Sequence, residues 1–269
     1  MKKKLIAIDL DGTTLKSDNT ISNYTKDTFR ELENLGHSIV ITTGRPYRMA
    51  IDIYENLGLN SPMINFNGSM VSHPKEENWE YGLKKEIDKK FVLDMLSKKE
   101  DFKLDFLATE YKNKFFINNP ERTDPNIFGV TSIDTRHQLE TSKITENPHS
   151  LLLQTYASDK EALAQKLNQH YKQEINVSAW GGPNNILEVV PKNISKASAL
   201  KHLLTSLNID KSDLLAFGDE QNDVEMLSFA EESYAMKNSN PILFPHAKYK
   251  TKYTNDEDGV ARTLSNLLL

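Results

Sequence analysis

The sequence predicts an α/β protein: a doubly wound, Rossmann-like parallel sheet into which an α+β insert is spliced. Three observations predict it. Short apolar strands alternate with helical patterns from Leu5 to Phe66, the rhythm of βαβ units. From about Leu83 to Leu187 that rhythm gives way to two helices among several strands. From Ser195 the first rhythm resumes. The expected division is a core split between 1–83 and 188–269, with an insert at 84–187, which suits two domains in a chain of 269 residues.

Taken in order, Leu5–Asp9 is a short apolar run, expected as a buried strand. Ser22 is placed to cap a helix that runs to Gly36, where the glycine stops it. Ser38–Thr42 is the next strand. Pro46 suits a helix start and Gly58 its end. Met63–Phe66 is a third strand, closed by the turn dipeptide Asn67-Gly68. In the insert, the pattern predicts helix Ile87–Lys98, strands near Lys103–Ala108, Lys114–Ile117 and Leu151–Ala157, helix Asp159–Tyr171, and strands near Glu174–Ala179 and Ile186–Val190. The core continues with helix Ser195–Leu207, strand Leu214–Phe217, helix Asn222–Ala230, short strands near Ser233–Ala235 and Tyr249–Tyr253, and a last helix near Gly259–Leu268.

Composition excludes several classes of function. There is no run of about 18 uncharged apolar residues, so no membrane span is expected. Lys2-Lys3-Lys4 is followed by an apolar run of Leu5 to Ile8 only, too short for a secretory signal. The chain has no cysteine, which removes disulfides, thiolate chemistry and thiolate metal sites and makes a cytoplasmic location the expectation. The net charge is −5 and no basic stripe is visible, so nucleic acid is not an expected partner. Lysines 84, 85, 89 and 90 are interleaved with Glu86 and Asp88, the mark of a solvated face.

Four motifs carry chemistry. Asp9-Leu10-Asp11-Gly12-Thr13 follows the first strand. Two carboxylates two residues apart disfavour joint ionisation, and a hard divalent cation resolves the conflict. The glycine permits a tight turn whose N–H groups can face an anion. As a bare turn it would do no more than end the strand. Thr42-Thr43-Gly44-Arg45 offers a hydroxyl, a small residue and a helix start, the parts of a phosphate site or of an ordinary capped turn. Lys196 stands at a helix start, where a cation is disfavoured, so it either serves an anion or points into solvent. Gly218-Asp219-Glu220-Gln221-Asn222-Asp223 brings further carboxylates to a strand end, where they complete a metal's oxygen shell or cap a helix. In an open parallel sheet all four would converge at the carboxyl ends of the strands.

In this order and spacing the four motifs resemble the haloacid dehalogenase (HAD) superfamily of phosphatases. The long insert between the second and third resembles that of its class IIB, the Cof-type hydrolases, with a C2B type cap. The resemblance spans essentially the whole chain and extends to Asn67-Gly68, to Ala235-Met236-Lys237-Asn238 and to Asn255–Ala261. One departure is Lys196-Ala197, where the family commonly has Lys-Gly.

The resemblance implies a role for each matched residue. Asp9 would be the nucleophile and Asp11 the general acid and base. Mg²⁺ would be held by Asp9, the Asp11 carbonyl and Asp219, with Asp223 in support. Thr43 and Lys196 would bind the phosphoryl oxygens, with N–H groups around Leu10–Gly12 and Gly44, and Asn222 would face the same site. The insert would act as a cap that closes on hinges near Gly82 and Pro191, excludes water and selects the leaving group. Trp180-Gly181-Gly182-Pro183 is either a substrate contact in that cap or a packed surface turn, and Tyr111 and Tyr156 stand equally open. The seven histidines lack metal-ligand spacing and are expected at the surface or at caps.

The function this implies is a Mg²⁺-dependent phosphatase of a small phosphorylated metabolite. Asn65–Gly68 with His73-Pro74 resembles a subgroup acting on flavin mononucleotide or ribitylaminouracil phosphate, with sugar phosphates and pyridoxal phosphate also open. Alternatives are a phosphomutase and a non-catalytic phospho-ligand sensor; against the sensor stands an acid, Asp11, two residues beyond the nucleophile. A monomer or weak homodimer is expected.

Overall fold

The computed structural model describes residues 2–181 and 184–269. Its elements, in chain order, are β1 (Leu5–Ile8), α1 (Asn23–Asn34), β2 (Ser38–Ile41), α2 (Tyr47–Leu57), β3 (Met63–Asn65), β4 (Met70–Ser72), β5 (Leu83–Lys84), α3 (Lys89–Ser97), β6 (Leu104–Glu110) and β7 (Phe115–Ile117). They continue with β8 (Ser150–Thr155), α4 (Lys160–His170), β9 (Ile175–Ala179), β10 (Ile186–Pro191), α5 (Lys196–Ser206), β11 (Leu214–Gly218), α6 (Val224–Phe229), β12 (Glu232–Ala235), β13 (Tyr249–Lys250) and α7 (Gly259–Leu268).

The chain forms two compact units, one of residues 1–45, 50–83 and 195–269, the other of 46–49 and 84–194. The sequence pattern returned the chain to the core at 188, inside β10. That strand pairs with β8 and β9 and so belongs to the second unit, and the return comes at Ser195. The segment Pro46–Met49 also joins the second unit.

The first unit is built on a parallel sheet in the order β13-β12-β11-β1-β2. Its central strands are buried on both faces, which is why they read as unbroken apolar runs. Leu5, Ala7, Leu214 and Ala216 pack against Ala199, Leu200 and Leu203 of α5 and Met226 and Leu227 of α6. Helices α1 and α7 pack together. The Ser22 hydroxyl accepts from the Thr25 N–H and starts α1, and Gly36, at φ +89°, follows its end.

Register positions the functional loops. Ile8 is level with Ile41 on one side and Phe217 on the other. The ladder runs one step further: the Asp9 N–H donates to the Phe217 carbonyl at 3.1 Å and the Thr42 N–H to the Ile8 carbonyl at 2.8 Å. Asp9, Thr43 and Asp219 therefore leave adjacent strands within two residues of one level.

The third expected strand differs. Met63–Asn65 touches β2 through a parallel bridge between Thr42 and Ile64, but its full partner is the antiparallel β4. Phe66, Asn67 and Gly68 all have positive φ (+52°, +51° and +107°), which reverses the chain at once.

The second unit is an antiparallel sheet, β7-β6-β8-β10-β9. Leu107, Leu151, Leu153, Leu187 and Val189 share a core with Phe91, Val92 and Met95 of α3 and Leu163 and Leu167 of α4. The alternate residues Phe106, Ala108, Leu152 and Ile186 join Phe115, Ile117 and Phe128. Between Pro120 and Lys143 the chain makes four short 3₁₀ turns. Gly182 and Pro183 of the aromatic turn lie outside the described residues. His37 and His149 are buried rather than at the surface, and His149 Nδ1 meets the Lys85 carbonyl at 3.1 Å. Among the described residues no helix is long and apolar enough to cross a membrane.

In this unit a buried carboxyl, Glu110, meets the half-buried Arg48. Arg48 Nη2 reaches both oxygens of Glu110 at 2.8 and 3.0 Å. Its guanidinium lies 4.8 Å from the Phe115 ring centroid, and Nη1 donates to the Phe128 carbonyl. Burial outweighs the pull of Arg48, and with Glu188 it pushes the Glu110 carboxyl up to about 7. A carboxyl raised on folding favours the native state while it is protonated. That stability is present below its unfolded pKa near 4.5 and is lost as pH rises through about 7. The loss is on the order of 3 kcal/mol. Glu110→Gln is expected to flatten the fall in melting temperature between about pH 5 and 8, measured by calorimetry.

Candidate active site

Asp9 opens a single wide turn, Leu10–Thr14, that directly follows β1. The turn is closed by the Leu15 N–H on the Leu10 carbonyl at 2.8 Å and by the Thr14 hydroxyl on the Asp9 carbonyl at 2.6 Å. Gly12 has φ +69°, and a Cβ there would lie 2.2 Å from Asp219 Oδ2. Only glycine permits both the backbone and the approach of the second carboxylate. Thr13 then donates to Asp219 Oδ1 at 2.6 Å.

Asp9, Asp219 and Asp223 each place a carboxylate oxygen within 4.8 Å of the others. Lys196, fully buried at the first position of α5, bonds Asp9 Oδ1 and Asp223 Oδ1, each at 2.6 Å. The solvated alternative for this lysine is therefore overturned: the two carboxylates offset both its burial and the adverse helix dipole. The Ser195–Ser198 capping box starts the helix, and Ala197 continues it without interruption. Asp223 is also fully buried, and its Oδ2 accepts the N–H groups of Asp219 and Glu220 at 2.9 and 3.2 Å. A Cβ at Gly218 would lie 2.5 Å from Asp223 Cγ, so the second glycine permits a second close approach.

The electrostatics follow from three carboxylates around one ammonium. Burial pushes the Asp9 carboxyl well above the usual range against the pull of Lys196, and Asp223 and Asp219 push the same way. Burial and then Asp223 push Asp219 up to about 7. Burial alone would lower the Lys196 ammonium; Asp223 and Asp9 outweigh it and raise it above its ordinary value. The cluster is short of positive charge by about two units when all three acids are ionised. Its donors are hard oxygens, and a divalent cation fits both the charge and the donor type.

Asp11 stands apart. It is exposed, and Arg45 grips it with Nε on Oδ2 at 2.8 Å and Nη2 on Oδ1 at 2.5 Å. Thr43 is buried, and its oxygen accepts the Arg45 N–H at 3.1 Å, which leaves its hydroxyl proton for another acceptor. Asn222 is exposed and bonded to Asn67, Nδ2 to Oδ1 at 3.0 Å, rather than to a member of the carboxylate cluster. Leu10 is buried and Gly44 half-buried.

Several supporting contacts went unforeseen. Arg45 was part of a motif, but nothing local shows that it reaches back to Asp11. Asn238 donates to the Gly12 carbonyl at 2.7 Å and Asn255 to the Leu15 carbonyl at 2.9 Å. Both stand in the short late motifs, whose position just after strands was the available signal.

A sequence model of the haloacid dehalogenase-like hydrolases matches residues 6–264. The chain belongs to that family. It is similar to 5-amino-6-(5-phospho-D-ribitylamino)uracil phosphatase YitU of Bacillus subtilis, at 34% identity over 98% of this chain and 97% of the relative. A second Bacillus subtilis protein of the same description, YcsE, is 29% identical over 99% and 96% of the two chains. The solved structure of a haloacid dehalogenase-like hydrolase from Bacteroides thetaiotaomicron superposes with a TM-score of 0.84 at 25% identity, covering 99% of this chain and 100% of that one. The chain is a phosphatase of this family, a phosphoric monoester hydrolase.

Gly12→Ala is expected to destabilise the protein by about 1–3 kcal/mol through the forced φ and the displaced Asp219. It should also abolish phosphatase turnover. Calorimetry and phosphate release check the two effects separately.

Proposed function

We propose that this phosphatase hydrolyses the phosphomonoester of a small metabolite through an aspartyl phosphate on Asp9, with Mg²⁺ as its cation. We propose further that the metabolite is 5-amino-6-(5-phospho-D-ribitylamino)uracil. The observation that carries the chemistry is the convergence of Asp9, Asp219 and Asp223 at the carboxyl ends of β1 and β11, with Lys196 bonded to Asp9 and Asp223. The substrate is supported by the descriptions of the two Bacillus subtilis relatives, both aligned over almost their whole length.

A lone pair of the Asp9 carboxylate attacks phosphorus in line with the ester oxygen. The P–O ester bond breaks, and the departing alkoxide takes the proton of Asp11. Asp11 then removes a proton from water, whose oxygen attacks the same phosphorus. The Asp9–phosphorus linkage breaks, and inorganic phosphate leaves with Asp9 restored. Lys196 holds Asp9 Oδ1 and so orients the other oxygen for attack. The Thr43 hydroxyl, the Lys196 ammonium, the N–H groups around Leu10–Gly12 and Gly44, and Asn222 bind the phosphoryl oxygens. Arg45 holds both oxygens of Asp11, so that contact opens before Asp11 serves a leaving group. Asp9, the Asp11 carbonyl and Asp219, supported by Asp223, would hold Mg²⁺, which supplies the neutralisation that lets an anionic carboxylate meet an anionic phosphate.

Phosphate release from a panel of phosphorylated metabolites tests this reading. Release is expected to be dominated by the ribitylaminouracil phosphate, to stop in EDTA and to return with Mg²⁺. Asp9→Asn should lower turnover by at least about a thousandfold while the circular dichroism spectrum is retained. An Asp9→Asn enzyme as active as the parent would remove the nucleophile, and comparable rates across flavin, sugar and uracil phosphates would remove the substrate.

A further inference from the structure

The Asn65–Gly68 turn does more than close β3, and no step above uses it. Three successive residues, Phe66, Asn67 and Gly68, sit in the left-handed region, and two of them carry side chains that make this unfavourable. A hairpin reversal needs no such run, since glycine or asparagine at one or two positions suffices. The strain is matched by bonds to the loop that carries Thr43 and Gly44. The Asn67 N–H donates to the Thr43 carbonyl at 3.1 Å. The Phe66 N–H and Asn65 Nδ2 both donate to the Arg45 carbonyl, at 3.3 and 3.1 Å. The carbonyls on either side of Gly44 are thus tied to one turn, which fixes the orientation of the peptide units that flank it.

The Asn67 side chain extends the same bracing. Its Oδ1 accepts from Asn222 Nδ2 at 3.0 Å, and a Cβ on Gly44 would lie 3.2 Å from its Nδ2. On the far side of the turn, a Cβ on Gly68 would lie 2.4 Å from the Ser195 carbonyl, one residue before Lys196. One strained turn therefore touches all three loops that supply Thr43, Lys196 and Asn222.

We propose that Asn67 is a positioning residue for phosphoryl transfer: its amide bridges the Gly44 loop and Asn222 and holds the phosphate-binding groups in one arrangement. The proposal rests on the site reading given above and adds a residue to it. Because Asn67 acts on the phosphate end, its loss should weaken phosphate binding and slow turnover together, whatever the leaving group.

Two substitutions separate this role from a structural one. Asn67→Gly keeps the positive φ without strain and removes the amide; Asn67→Ala removes the amide and adds strain. With p-nitrophenyl phosphate and Mg²⁺, both variants are expected to lose about tenfold or more in kcat. Inorganic phosphate should inhibit both more weakly by about fivefold or more. The melting temperature should fall for Asn67→Ala and hold for Asn67→Gly. Asn222→Ala should lose activity as well, and the Asn67→Gly/Asn222→Ala double variant should lose less than the product of the two single losses. An Asn67→Gly enzyme within twofold of the parent in kcat and phosphate inhibition overturns the proposal. So does a loss of activity in Asn67→Ala alone, tracking its melting temperature. Asp9→Asn, assayed alongside, reports on the nucleophile independently: retained turnover there would sink the mechanism and not the bracing role, which phosphate inhibition still measures.

Discussion

Like charges gathered away from water must be neutralised or protonated, and Asp9, Asp219 and Asp223 are gathered around Lys196 where β1, β11 and α5 meet. Much of the first unit serves that meeting. Gly12 and Gly218 lack side chains so that Asp219 and Asp223 can approach. Thr13 and the N–H groups of Asp219 and Glu220 satisfy carboxylate oxygens that the lysine leaves over. The cluster is tolerable because each acid has partners, and reactive because the positive charge falls short. In the proposed reaction a divalent cation is drawn to that shortage, and with the cation and Lys196 in place the anionic phosphate can approach. An acidic protein with a net charge of −5 can hold an anion for this reason: the local balance, not the average, decides.

The parallel sheet makes this arrangement without long-range coincidence. Neighbouring strands in register end at one level, so Asp9 follows Ile8 just as Thr42 follows Ile41 and Gly218 follows Phe217. Short loops then need to carry each side chain only one or two residues further. Lys196 is the exception, since it arrives from a helix after the whole second unit has been threaded. Its buried ammonium, paired across 187 residues of sequence to Asp9, joins the first and last of the three stretches of the first unit.

How much of this was legible in the sequence depended on distance along the chain. The strands with apolar runs, the Ser22 cap and the carboxylates of the Asp9–Thr13 loop could be placed because local pattern decides them. Lys196 could be weighed only between solvent and an anion, because its partners lie far away in sequence. At Met63 the pattern shows a strand and the turn at Asn67-Gly68, but not that the turn begins at Phe66, because positive φ at a bulky residue has no local signal. The partners of Arg45, Asn238 and Asn255 could not be read for the same reason as those of Lys196: their targets are backbone or side-chain atoms brought near only by the fold.

Asp9 and Asp11 are two residues apart and chemically identical, yet the fold gives them opposite surroundings. Asp9 is buried, held by Lys196 and crowded by two acids. Asp11 is exposed and gripped by a guanidinium on a different loop. In the proposed reaction the first must stay in place and form a bond to phosphorus, while the second must carry a proton to one molecule and take it from another. A nucleophile benefits from rigid partners that it never leaves, and a proton carrier from a partner that it can exchange. Lys196, locked in the interior, suits the first need. Arg45, at a half-buried loop end, suits the second. The division of labour between like groups therefore lies in which cation holds each one.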